Sequence, residues 1–77
     1  MQTINIFMSK AKITAVNAAT TNQIKYLICL CVNRDIVFPF ADLQQAKCHI
    51  KKHEANRAIK ELLAGNSIAF IYPTPID

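Results

Sequence analysis

The chain has 77 residues, 52% of them hydrophobic, with nine Lys and Arg against five Asp and Glu and a formal net charge of +4. A chain of this length is read as one domain over residues 1–77, and its basic excess favours acidic partners such as nucleic acid, anionic protein surfaces or lipid headgroups. The longest apolar run, Tyr26 to Val32, is far short of the roughly 20 residues that span a bilayer, which excludes a membrane span; three cysteines without scaffold spacing or a signal peptide point to reduced thiols in a soluble, cytoplasmic protein.

In the first 18 residues, Ile4 and Ile6 alternate with polar neighbours, and Lys12-Ile13-Thr14-Ala15-Val16 is a second alternating run, so residues 3–16 are expected to supply part of a small sheet. Two arrangements are open: a hairpin turning at Met8-Ser9-Lys10-Ala11, or a first seven or eight residues that form a loosely held arm. From Thr20 the period changes. Ile24, Leu27, Ile28 and Cys31 fall at i, i+3, i+4 and i+7, and Thr20, Thr21 and Asn22 offer oxygens that can cap a first turn, which predicts a helix over about 20–34. The rival reading makes Gln23 to Val32 a strand, turning at Asn33-Arg34-Asp35 onto Ile36 to Phe40.

Pro39 stops what precedes it, and Asp42 can cap a short helix over about 42–50. On a helical wheel Leu43, Ala46 and Ile50 point roughly 130° away from Ala55, Ala58, Ile59 and Leu62. One continuous helix cannot bury both sets, so a second helix is predicted over about 53–64, with the break near Lys51 to His53. Gly65 supplies the stop, and residues 67–72 read as a strand ended by Pro73 and Pro75. Apolar on both faces, this strand is expected to lie on the helices and to pair with the N-terminal segment or with another subunit. The fold class is therefore α+β, mainly helical, with a small sheet.

The motif Ala19-Thr20-x-x-Gln23-Ile24-x-Tyr26-Leu27-x-x-Leu30, followed by Glu54-Ala55-x-x-x-Ile59-x-x-Leu62, resembles a small helical module of phage and bacterial proteins of poorly defined function, some appended to DNA-handling enzymes. The resemblance covers about residues 19–64. It implies a helical pair and no catalytic residue. The module usually carries Ser or Thr as the cap of its second helix, whereas Ile50-Lys51-Lys52-His53 stands here.

Basic residues gather at Lys47, His49, Lys51, Lys52, His53, Arg57 and Lys60. Lys52, Asn56 and Lys60 recur at i+4 steps with Arg57 beside them, giving one helix face that can meet a phosphate backbone through charge and base edges through Asn56 and Arg57. The candidate nucleic-acid or partner-binding residues are thus Lys51, Lys52, Asn56, Arg57 and Lys60. The bland alternative is a solvated face in which Arg57 pairs with Glu61. Phe38, Phe40, Phe70 and Tyr72 could stack on bases, although a chain without tryptophan needs its aromatics inside.

Other chemistries lack their parts. Cys29 and Cys31 point about 200° apart on a helix and no Cys-x-x-Cys pair exists, so no metal site and no cofactor are expected. One of Cys29 and Cys31 is expected to serve as a small buried hydrophobe and the other to be exposed. Cys48 beside His49 has no oxyanion donor to work with, glycine-rich phosphate loops are missing, and the carboxylates are scattered, so the chain is not read as an enzyme. The leading expectation is a small nucleic-acid-associated protein of phage or mobile-element type. The alternatives are a protein-binding inhibitor or adaptor, such as an anti-CRISPR protein, and a structural subunit dimerising through its C-terminal strand.

Overall fold

In the computed structural model, which describes residues 2–71, the elements are β1 (Thr3–Phe7), α1 (Thr21–Asn33), α2 (Leu43–His49), α3 (Lys52–Leu63) and β2 (Ser67–Ile71). The fold is α+β and mainly helical. β1 and β2 form a two-stranded parallel sheet in which Thr3 faces Ser67 and Phe7 faces Ile71. Parallel neighbours cannot be joined by a tight turn, so the three helices are the crossover between them. The ladder continues past both ends through Ser67 N–H to the Gln2 carbonyl at 2.8 Å and Met8 N–H to the Ile71 carbonyl at 2.9 Å. Of the two alternatives for the N-terminus, neither a hairpin nor a loose arm forms; the segment pairs with the C-terminal strand. Tyr72, Pro73 and Pro75 lie outside the described residues.

The second alternating run, 12–16, is not a strand. Asn17 and Ala18 both donate to the Thr14 carbonyl at 3.0 Å, closing a turn, and Val16 is 81% exposed. Alternation specifies a strand only where a partner edge receives it, and the sheet of the described residues contains β1 and β2 alone. The segment is held by Ile13 N–H on the Cys48 carbonyl at 2.8 Å, Ala19 N–H on the Ile50 carbonyl at 3.0 Å and an antiparallel bridge between Ala18 and Lys51.

Residues 23–32 are helical, which removes the rival hairpin. Thr20 caps α1 by accepting the Gln23 N–H at 3.1 Å while the Gln23 side chain accepts the Thr20 N–H at 3.0 Å, a reciprocal capping box. At the other end Ile36 N–H reaches the Cys31 carbonyl at 2.9 Å and Asp35 adopts φ 57, a left-handed stop made without glycine. α3 ends in the same way with Asn66 N–H on the Glu61 carbonyl at 2.9 Å, here using Gly65 at φ 94. The helix break falls at Ile50–Lys51, where Ile50 and Lys51 are extended and reorient the two buried faces.

Two apolar clusters fill the interior. Ile6, Leu27, Cys31, Ala58, Ile59, Leu62 and Ile68 lie between α1, α3 and the sheet. Met8, Ala19, Ile24, Ala46, Ile50 and Ala55 lie under α2 and the loop before α1. Phe38 and Phe70 pack against both, with their rings edge to face at 5.5 Å, and Phe40 meets Phe38 at 6.0 Å. These aromatics serve packing.

Cys31 is buried and Cys29 exposed, dividing the two roles expected of the pair; all three cysteines are free thiols. Burial pushes the Cys31 thiol up from 9.0 to about 11. An unfolded thiol ionises near its ordinary value while the folded one stays protonated, so this group's stabilisation is complete below pH 9 and is lost as pH rises through about 11. Native protein treated with iodoacetamide at pH 8 is expected to alkylate Cys29 first and Cys31 only at the rate of unfolding, read by mass spectrometry of peptides. Equal labelling of the two would contradict the packing described.

Candidate functional site

The N-terminal end of α3 meets the carboxyl end of β1. Lys51 is the residue before the helix and no side chain caps it. The Lys52 N–H is taken by the Asn17 carbonyl at 2.8 Å, and the Ala55 N–H begins the helical ladder on the Lys51 carbonyl at 2.9 Å. Between them, the amides of His53 and Glu54 have no acceptor among the described residues. The bridge from Ala18 to Lys51 fixes this end of the helix against the preceding loop.

Apart from Glu54 in the first turn, charge here runs against helix stability. The positive end of a helix favours Asp or Glu, and capping favours Ser, Thr, Asp or Asn, yet the chain places Lys51, Lys52 and His53 in series. Lys51, Lys52, Asn56, Arg57 and Lys60 are all exposed, so every sequence-predicted site residue reaches solvent. Substituting Lys51→Ser is expected to raise stability by about 1 kcal/mol by supplying the missing cap. For a domain of this size that is roughly 4–8 °C in thermal midpoint; no gain in a melting experiment would mean that the amides are satisfied in solution.

The predicted residues do not form one stripe. Lys51 and Arg57 line a depression of about 380 Å³ with Phe7, Ser9, His53 and Glu54. Lys52 and Asn56 line a second, of about 470 Å³, with Val16, Asn17 and Gln23. His53 belongs to both and forms the ridge between them. Lys60 lines neither, lying two turns further along α3. Gln23 belongs to the first turn of α1, and at the other end Arg34 donates to the Leu62 carbonyl at 2.6 Å, so α1 and α3 run side by side in the same direction. Their positive ends therefore face the same side of the molecule.

Arg57 pairs with Glu54 rather than Glu61. Its Nη1 lies 3.4 Å from Glu54 Oε1, while Glu61 accepts from Asn66 Nδ2 at 2.9 Å. The i,i+3 carboxylate wins because Glu54 is already fixed: the same Oε1 accepts the Phe7 N–H at 3.0 Å, and Oε2 lies 3.8 Å from His53 Nε2. Register explains that contact, since Phe7, an odd residue of β1, directs its amide away from β2 toward the outer edge. Glu54 is buried, so the edge amide and the guanidinium together compensate a carboxylate withdrawn from water.

Two basic residues of the sequence cluster are engaged elsewhere. Lys47 Nζ donates to Thr21 Oγ1 at 2.9 Å, tying α2 to the start of α1. His49 Nδ1 donates to the Ser9 carbonyl at 2.7 Å and its ring stacks on Phe40 at 5.8 Å. Phe7 and Glu54 were not among the sequence candidates. Phe7 is 44% exposed because its side chain stands on the outer face of a strand whose partner exists only in the fold; no local pattern marks it. Glu54 carries a weak signal, an acidic residue at the third position of a helix with no Ser or Thr to reciprocate.

Cys48 and His49 line a third depression, of about 360 Å³, with Lys12 and Asp42. Asp42 is committed to capping α2 through the Gln44 N–H at 2.9 Å, and no group of three or more His, Cys, Asp or Glu that could hold a metal occurs among the described residues. No helix among the described residues is long and apolar enough to cross a membrane. No protein-family model, curated protein or solved structure matches the chain.

Proposed function

We propose that this protein binds nucleic acid without catalysing a reaction, through Lys51, Lys52, Asn56, Arg57 and Lys60. The observation that carries the reading is the start of α3: two amides without acceptors among the described residues are surrounded by exposed cations where stability alone would favour an acidic or hydroxyl cap. Phosphate oxygens satisfy those amides and gain from the helix dipole and the lysines together. The site also lies beyond the carboxyl end of β1, the side on which parallel strands and their crossover helices commonly gather ligands. Neutralising phosphates releases counterions, so affinity for a labelled oligonucleotide should fall linearly on a logarithmic salt axis. Four cations in contact give a slope of roughly −3. Fluorescence anisotropy between 50 and 200 mM salt tests this; no binding, or a slope near zero, would sink the reading.

A second reading, a protein-binding inhibitor or adaptor, is favoured by the outer side of α1. Tyr26 and Val32 are exposed large apolar side chains with the Cys29 thiol between them, and Lys25 is the only charge in the helix. A defined partner that survives nuclease treatment in a pull-down and is lost from Tyr26→Ser would replace the first reading with this one. A phage or mobile-element setting rests on the motif resemblance alone.

A further inference from the structure

The depression at the end of β1 combines features that a duplex backbone does not require. Phe7 is an aromatic residue that is 44% exposed, in a chain whose Phe38, Phe40 and Phe70 are packed against the interior. The ring lines the same hollow as Lys51, Arg57 and Ser9. One atom ties the aromatic residue to the cation: Glu54 Oε1 receives both the Phe7 amide, at 3.0 Å, and the Arg57 guanidinium, at 3.4 Å. Glu54 is itself buried, so its carboxylate fixes both groups while its own charge is met by Arg57 and the edge amide. The volume, about 380 Å³, falls within the range of pockets that hold small ligands, roughly 300–1,000 Å³.

We propose that this hollow receives an unpaired nucleobase stacked on Phe7, with the adjoining phosphate held by Lys51 and Arg57, so that the protein prefers single-stranded nucleic acid to duplex. The inference rests on the nucleic-acid reading above and deepens it. Every base offers a π-face, so an exposed aromatic beside cations binds unpaired strands with little regard to sequence, whereas bases inside a duplex are already stacked and out of reach. The chemistry shared by DNA and RNA single strands is an unpaired base with a phosphate.

The test titrates the full chain against 15-mers of oligo-dT and oligo-rU and against a 15-base-pair duplex, by anisotropy at fixed salt, with Phe7→Ala, Phe7→Leu and Phe7→Tyr in parallel. Thermal melts confirm that each variant is folded; Phe7→Leu keeps the apolar bulk should Phe7→Ala fail. The expected result is tighter binding of the single strands, a loss of roughly 10-fold for the Ala and Leu variants on single strands only, and retention by Tyr. Upfield shifts of the Phe7 ring protons on adding oligo-dT provide a second readout of stacking. Binding of all three nucleic acids that is insensitive to Phe7 would overturn this proposal and leave the basic-surface reading standing. Failure of every nucleic acid to bind would overturn both. A difference between oligo-dT and oligo-rU, with Phe7 dependence kept, supports the proposal and assigns the preferred sugar.

Discussion

Replacing Glu54 by Ala is expected to destabilise the protein by about 3 kcal/mol, from one desolvated amide and one displaced charge-assisted contact. A domain of this length has a total stability on the order of 4–12 kcal/mol, so the loss is a large fraction of it. The substitution removes the acceptor of the Phe7 N–H, strips Arg57 of its partner and vacates a buried position on α3. It also uncovers the outer edge of β1, because Phe7 is where that edge is blocked. Urea unfolding measures the first effect and light scattering at rising concentration the second. Glu54→Gln retains an oxygen acceptor for the amide and is expected to lose only about 1 kcal/mol. An Ala variant as stable as the parent chain would mean that Glu54 does not hold β1 to α3.

The second large effect concerns binding. Changing Lys51, Lys52 and Lys60 together to Ala is expected to weaken oligonucleotide affinity on the order of 100-fold at low salt and to flatten the salt slope by about 2–3, one increment per lost phosphate contact. The same variant should be no less stable than the parent. Lys51 and Lys52 sit at the positive end of α3 and none of the three lysines makes a side-chain hydrogen bond or ion pair among the described residues. Opposite signs for stability and binding distinguish a working surface from a solvated helix face. If affinity and slope both stay unchanged, the cations are ordinary surface charge.

The helices were legible because their signals are local. Thr20 with Gln23, Asp42, and Gly65 each act within one or two turns of their own chain, and the wheel mismatch between Ile50 and Ala55 needs only helical geometry. The run 12–16 misled because alternation records which side chains could face a core and says nothing of whether an edge is free to receive them. Arg57 was matched to the wrong carboxylate for a related reason. Spacing places Glu54 and Glu61 both within reach of Arg57, and only the Phe7 amide, 47 positions from Glu54, decides which of them is fixed in place.

The sequence by itself pointed to three helices and their faces, with a hairpin over 23–40 still open, and to a C-terminal strand, a basic α3 with no cap, and one buried and one exposed member of the pair Cys29 and Cys31, since all of these depend on neighbours within about ten residues. The tertiary structure alone decided that β1 pairs with β2 in parallel, that four of the five candidate residues split between two hollows on either side of His53 while Lys60 lines neither, and that Phe7 stands beside Lys51 and Arg57. Those facts depend on where the crossover returns the chain. Closing it brings together residues more than forty positions apart, and no short-range periodicity encodes their meeting.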